Sequence, residues 1–99
     1  MATHTIGSDD VGAHFTLTAN EVETVTFTYA EPRVEIIARD GGPEVYYTVD
    51  GSTPQLGGSR SYVIPAGAIG SDVRNPTGRP TVVRLLSSGA RAMTVQQEV

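Results

Sequence analysis

Few side chains in this sequence are equipped for acid–base or metal chemistry. Its two histidines are His4 and His14. Protein metal sites draw on closely spaced ligand pairs, and these two do not make one. There is no cysteine, so neither a disulfide framework nor a thiolate site is expected. Asp9 and Asp10 place two carboxylates side by side. A calcium loop of the EF type would add alternating oxygen ligands and a Glu about twelve positions from the first, and these are missing. The glycines of DGGPE (40–44) and DGST (50–53) do not form a phosphate loop, which needs GxxxxGK[ST] in a chain that here has no Lys. No GxSxG elbow occurs either. The sequence therefore predicts no catalytic residue, no metal and no cofactor: it does not read as an enzyme.

What remains is recognition chemistry. In EVYYTVDGSTP (44–54) two tyrosines precede a polar turn. Tyr46, Tyr47 and Tyr62 are candidates for stacking on a sugar ring, with Asp50, Ser52 and Gln55 as hydrogen-bond partners. Period-two alternation, however, puts Tyr46 and Tyr47 on opposite faces of a strand, and there is no Trp. All seven positive charges are Arg, the residue that bonds carboxylates in a bidentate fork and is enriched in protein contacts. The expected contact residues are Arg33, Arg39, Tyr46, Arg60, Tyr62 and Arg74. A mixed Val82/Arg84/Leu86 face adds Arg84 and Leu86 if copies of the chain associate. A net charge of −4 argues against nucleic acid, whose binders show a basic face. No run approaches the roughly 18 apolar residues of a membrane helix, and the N-terminus lacks the basic and apolar regions of a secretory signal.

Ninety-nine residues suit one domain with a single modest core. Residues 1–12 are small and polar and read as a flexible N-terminal arm. From 13 onward the pattern has period two. Phe15 and Leu17 oppose His14, Thr16 and Thr18, so His14 faces solvent. Val25, Phe27 and Tyr29 oppose a row of threonines, and Glu31-Pro32 ends what reads as a hairpin. Val34, Ile36 and Ala38 share a face before the DGGP turn. Tyr47, in the row of Val45 and Val49, belongs to the core, and its hydroxyl needs a partner. Asp50 is placed to cap the following turn and Gly51 to supply positive φ. Short strands follow near 62–64 and 69–73, then a 75–80 turn, then strands over 81–88 and from 92 that read as a closing hairpin. About seven to eight short antiparallel strands bounded by turn residues predict an all-β domain over 13–99. It reads as a single small β-sandwich, Ig-like or jelly-roll-like.

Two families share these patterns. VYYTVDGSTP (45–54), followed by Ser61, Tyr62, Pro65 and the 81–95 strand pair, resembles the Ig-like C-terminal domain of chitobiase-type proteins. That resemblance implies an accessory domain and no catalysis; a carbohydrate-binding or adhesive Ig-like module is the alternative function. Over about residues 13–95, VEIIARDGGPEVYYTVDGSTP, YVIPAGA and VVRLLSSG resemble small β-rich virion proteins of tailed bacteriophages. That likeness implies a non-enzymatic capsid decoration (cement) protein, made in the host cytoplasm and seated on the capsid exterior. It would contact the major capsid protein and copies of itself, as a homo-oligomer such as a trimer. A head–tail connector or tail component is the alternative within the same resemblance.

Overall fold

The computed structural model describes residues 2–7, 10–29, 33–76 and 80–97. Asp9, the Glu31-Pro32 break and the middle of the 75–80 turn lie outside the described residues. Nine strands are present among those described: β1 (Ala2–Ile6), β2 (Gly12–Leu17), β3 (Glu23–Phe27), β4 (Val34–Ala38), β5 (Val45–Thr48), β6 (Tyr62–Ile64), β7 (Gly70–Arg74), β8 (Thr81–Ser87) and β9 (Arg91–Gln97). They form two sheets, sheet A in the order β1-β3-β8-β5-β6 and sheet B in the order β2-β9-β4-β7. The protein is an all-β sandwich.

Alternation builds the core as expected. Val25 and Phe27 of β3, Val83 and Leu85 of β8, and Val45 and Tyr47 of β5 point inward from sheet A. They meet Val34 and Ile36 of β4 and Met93 and Val95 of β9, all fully buried. His14 lies on the outer face of sheet B, exposed, with its Nδ1 2.8 Å from Thr94 Oγ1.

The pairing departs from expectation in two places. The segments 13–19 and 22–29 do not form a hairpin, because β2 pairs with β9 while β3 pairs with β1 and β8. Nor is 81–95 a closing hairpin, since β8 belongs to sheet A and β9 to sheet B. Among the described strands, β5 and β6 are the only consecutive pair that shares a sheet, and every other link crosses the sandwich. The physical reason is burial. Each of these strands has one apolar row, and sending successive strands to opposite sheets makes those rows face each other. A fixed corner helps: the backbone N–H of Asn20, a residue at φ 62°, donates to Ser87 O at 2.8 Å where the chain turns from β2 to β3.

The same crossing changes the N-terminal reading. Residues 2–6, expected within the flexible arm, form β1 at the edge of sheet A, parallel to β3 in the register Ala2↔Glu23 to Ile6↔Phe27. The pair is parallel because β2 carries the chain through the other sheet between them. Ile6 joins the core. His4 Nε2 lies 2.8 Å from the buried carboxylate of Glu23, and its ring stacks on Phe15 of β2 at 4.7 Å between centroids. A buried carboxylate needs a partner, and β1 brings it one.

Candidate functional site

One side of the sandwich is bounded by β6 from sheet A and β7 from sheet B, both outermost strands. Their inward rows hold Tyr62, paired across the strands with Tyr47, and Asp72 and Arg74, paired with Ile36 and Val34. Tyr47, wholly buried, donates its O–H to Asp72. Arg74 Nε donates to Tyr47 Oη and to Asp72 Oδ2, each at 3.2 Å, and its Nη2 donates to Asp72 Oδ2 at 3.0 Å. The Arg74 guanidinium carbon lies 3.9 Å from the centre of the Tyr62 ring, a cation–π contact. The four side chains tie the two sheet edges together. Burial first, and the Asp72 hydrogen bond second, push the Tyr47 phenol well above the ordinary tyrosine range. The hydrogen bond with Tyr47 leads in raising Arg74.

Above this lock the surface is concave. Arg33, Tyr62, Val73, Arg74 and Asn75 line a hollow of about 470 Å³. A second, of about 170 Å³, shares Tyr62 and Asn75 and adds Thr48, Val49, Asp50 and Arg60. A third, of about 390 Å³, shares Arg60 and lies within the β5–β6 loop, against Ser52, Thr53, Gln55 and Ser61. Together they make a polar groove along this end of the domain.

The loop is shaped by its own residues. Ser52 N–H and Oγ–H both donate to Asp50 Oδ1, at 3.0 and 2.6 Å, with Gly51 at φ 84° between them. Thr48 Oγ1 donates to Ser52 O at 2.6 Å, and Gly58 N to Gln55 O at 2.8 Å. The Ser52 side-chain and backbone bonds hold the Asp50 carboxyl below the ordinary aspartate range. A lowered folded pKa means that the turn's stabilisation is present above the unfolded aspartate value and is lost as pH falls through the folded one. We expect Ser52→Ala to move the Asp50 titration back toward the ordinary range, followed by carboxyl-carbon NMR. An unchanged midpoint would show that Ser52 does not govern it.

The structure sorts the expected contact residues into three places. Arg33, Arg60, Tyr62 and Arg74 come together on the groove. Tyr46 and Leu86 lie opposite one another on the outer face of sheet A, with Val63 beyond Tyr46 and Arg84 two positions along β8. Arg39 stands apart, its guanidinium donating to the carbonyls of Phe15 and Met93 at 3.2 and 3.1 Å. The sugar platform does not assemble, because Tyr47 is core, Tyr46 points to the far side of the sheet and a guanidinium lies over Tyr62.

Sequence reasoning missed Asp72 and Asn75, although Asp72 and Arg74 are two apart and so share a strand face. It also missed Arg91. This residue is fully buried and donates to the carbonyls of Asp40, at 2.9 Å, and of Pro43, Pro65 and Ala68. Those carbonyls belong to the β4–β5 and β6–β7 loops, so one side chain fixes both. A Cβ on Gly42 would fall 2.6 Å from Arg91 Cδ, so this close approach requires glycine.

No protein-family model and no curated protein matches this sequence. By structure the chain is similar to the crystal structure of PirA, with a TM-score of 0.53 over 90% of this chain and 94% of that one, at 16% identity. At such an identity the likeness is one of fold. Among the described residues no group of three or more His, Cys, Asp or Glu side chains is placed to hold a metal ion, and no helix is long and apolar enough to cross a membrane.

Proposed function

We propose that this chain is a non-enzymatic structural protein of a bacteriophage virion, a capsid decoration protein that works through protein–protein contact. The phage assignment rests on the sequence resemblance over residues 13–95. The observation that carries the contact role is the β6/β7 side of the domain. There, two outermost strands lie beside the arginine-lined groove, with exposed apolar side chains on β6, Val63 at 44%, and in the loop just before β7, Ile69 at 70% exposure. Unpaired edges with apolar side chains invite a partner strand or surface. The partner on this reading is the major capsid protein, with further copies of the chain meeting through Tyr46, Arg84 and Leu86. Many weak seats on a lattice add up to firm attachment.

The test uses particles assembled with wild-type and variant chains. Leu86→Asp, which puts a charge into the copy-to-copy face, should reduce occupancy at least several-fold, as should Arg60→Glu in the groove. A copy number on the order of hundreds per particle, counted by mass, fits decoration. A dozen or fewer would move the chain to a connector or tail position. A monomeric chain whose Leu86→Asp variant still fills the particle would end the decoration reading.

A further inference from the structure

Away from the groove, on the outer face of sheet A, a polar row runs across four strands. The register places Thr3 of β1 beside Thr24 of β3, Thr24 beside Arg84 of β8, and Arg84 beside Thr48 of β5. Arg84, with Thr3, Val22, Thr24, Thr26 and Thr53, lines a trough of about 490 Å³. Its Nη1 reaches Thr53 Oγ1 at 3.4 Å, a long hydrogen bond. Its Nε is shut off from water and has no acceptor. Among the described residues no carboxylate lies within ion-pair distance of it. Arg74 and Arg91, by contrast, have Asp72 and Asp40. A half-buried guanidinium with an unmet donor is costly to keep, and here it faces a hollow of small-ligand size.

We propose that this trough is a carboxylate-binding site. A carboxylate offers two oxygens to the guanidinium fork, and a turn of the guanidinium about its last torsions brings the Nε–H edge into the trough to meet them. The hydroxyls of Thr24, Thr26 and Thr53 supply donors and acceptors for the atoms beside the acid. One cation without a second in the lining matches a monoanion. A phosphate dianion would leave excess negative charge on a chain whose net charge is already −4. The carboxylate comes from a free organic acid or from an Asp or Glu side chain of a neighbouring protein. The assignment does not depend on the virion reading.

The test is NMR of the labelled full chain, following the Arg84 Nε–Hε signal and the methyl groups of Thr24, Thr26 and Thr53. The probes are sodium acetate and the peptide Ac-Ala-Glu-Ala-NH2, with Ac-Ala-Gln-Ala-NH2 and sodium chloride at equal ionic strength as controls. We expect saturable shifts at all four residues with the acidic probes. Arg84→Gln should weaken binding at least tenfold, read on the threonine methyls, and Arg84→Lys should recover only part of it. Tighter binding of acetate than of the Glu peptide identifies free acids as ligands, and tighter binding of the Glu peptide identifies a protein side chain. The site is overturned if chloride or the Gln peptide reproduces the shifts, if neither acidic probe saturates, or if Arg84→Gln binds as wild type does.

Discussion

Arg91→Ala should lose about 3–5 kcal/mol of folding stability and lower Tm by roughly 15–30 °C. Domains of this size are stable by about 5–15 kcal/mol, so the loss removes between about a fifth and the whole of that stability. The substitution leaves backbone carbonyls of Asp40, Pro43, Pro65 and Ala68 without their donor. Asp40, the carboxylate beside Arg91, is half exposed and can turn to water, but the backbone acceptors cannot be mutated away, so an apolar residue of similar length does not rescue them. Arg91→Met should therefore be nearly as damaging as Ala. Arg91→Lys should recover little, since one ammonium cannot span carbonyls that the guanidinium fork reaches on two loops. Denaturant titration of the three variants checks this. Loss of less than about 1 kcal/mol in Arg91→Met would mean that Arg91 contributes bulk rather than hydrogen bonds.

The second large effect is at Tyr47. Tyr47→Ala should cost about 3–5 kcal/mol by opening a cavity in the core. Tyr47→Phe should cost about 1–2 kcal/mol by removing only the hydroxyl that Asp72 and Arg74 share. The difference separates packing from the lock between sheet edges. If Phe is as damaging as Ala, the hydroxyl network dominates. If Phe is neutral, Asp72 and Arg74 hold the edges without it. The phenol also sets an alkaline limit. Its folded pKa is raised from 10.0, by burial first, so the folded state keeps the proton after the unfolded state has released it. The associated stability is complete below pH 10 and declines as pH rises above it. Since the chain has no Lys and no Cys, tyrosines are the side chains that titrate there, which makes the effect easy to isolate. In Tyr47→Phe the alkaline decline should be shallower. An identical slope in both proteins would show that Tyr47 is not its source.

The turn after Tyr47 was legible from sequence because its causes are local. An Asp beside Gly and Ser can bond backbone two residues on, and the Asp50–Ser52 contacts do so. The burial of Tyr47 followed from alternation with Val45 and Val49. The groove was half legible: an all-Arg cation set flagged Arg33, Arg60 and Arg74, yet nothing in the spacing said that these three would meet around Tyr62. Arg91 was invisible, because its partners, four backbone carbonyls and the Asp40 carboxylate, lie 23 to 51 positions away, and a carbonyl has no sequence signature. His4 was misread with the rest of 2–6, since a strand whose inner row is Ala2, His4 and Ile6 shows little of the apolar alternation that marks a core strand.

By itself, then, the sequence determined the strands from β2 onward, the residues that face inward along most of them and the chemistry of the β5–β6 turn. These depend on side-chain period and on contacts a few residues apart. Only the tertiary structure decided which sheet each strand joins. Period two is the same whether a strand pairs with its neighbour in sequence or with one on the other side of the sandwich, and long-range burial alone breaks that tie. The same crossing brings β6 beside β7, gathers Arg33, Arg60 and Arg74 onto one groove, seats Arg91 between two loops and leaves Arg84 in its threonine trough with no carboxylate partner among the described residues.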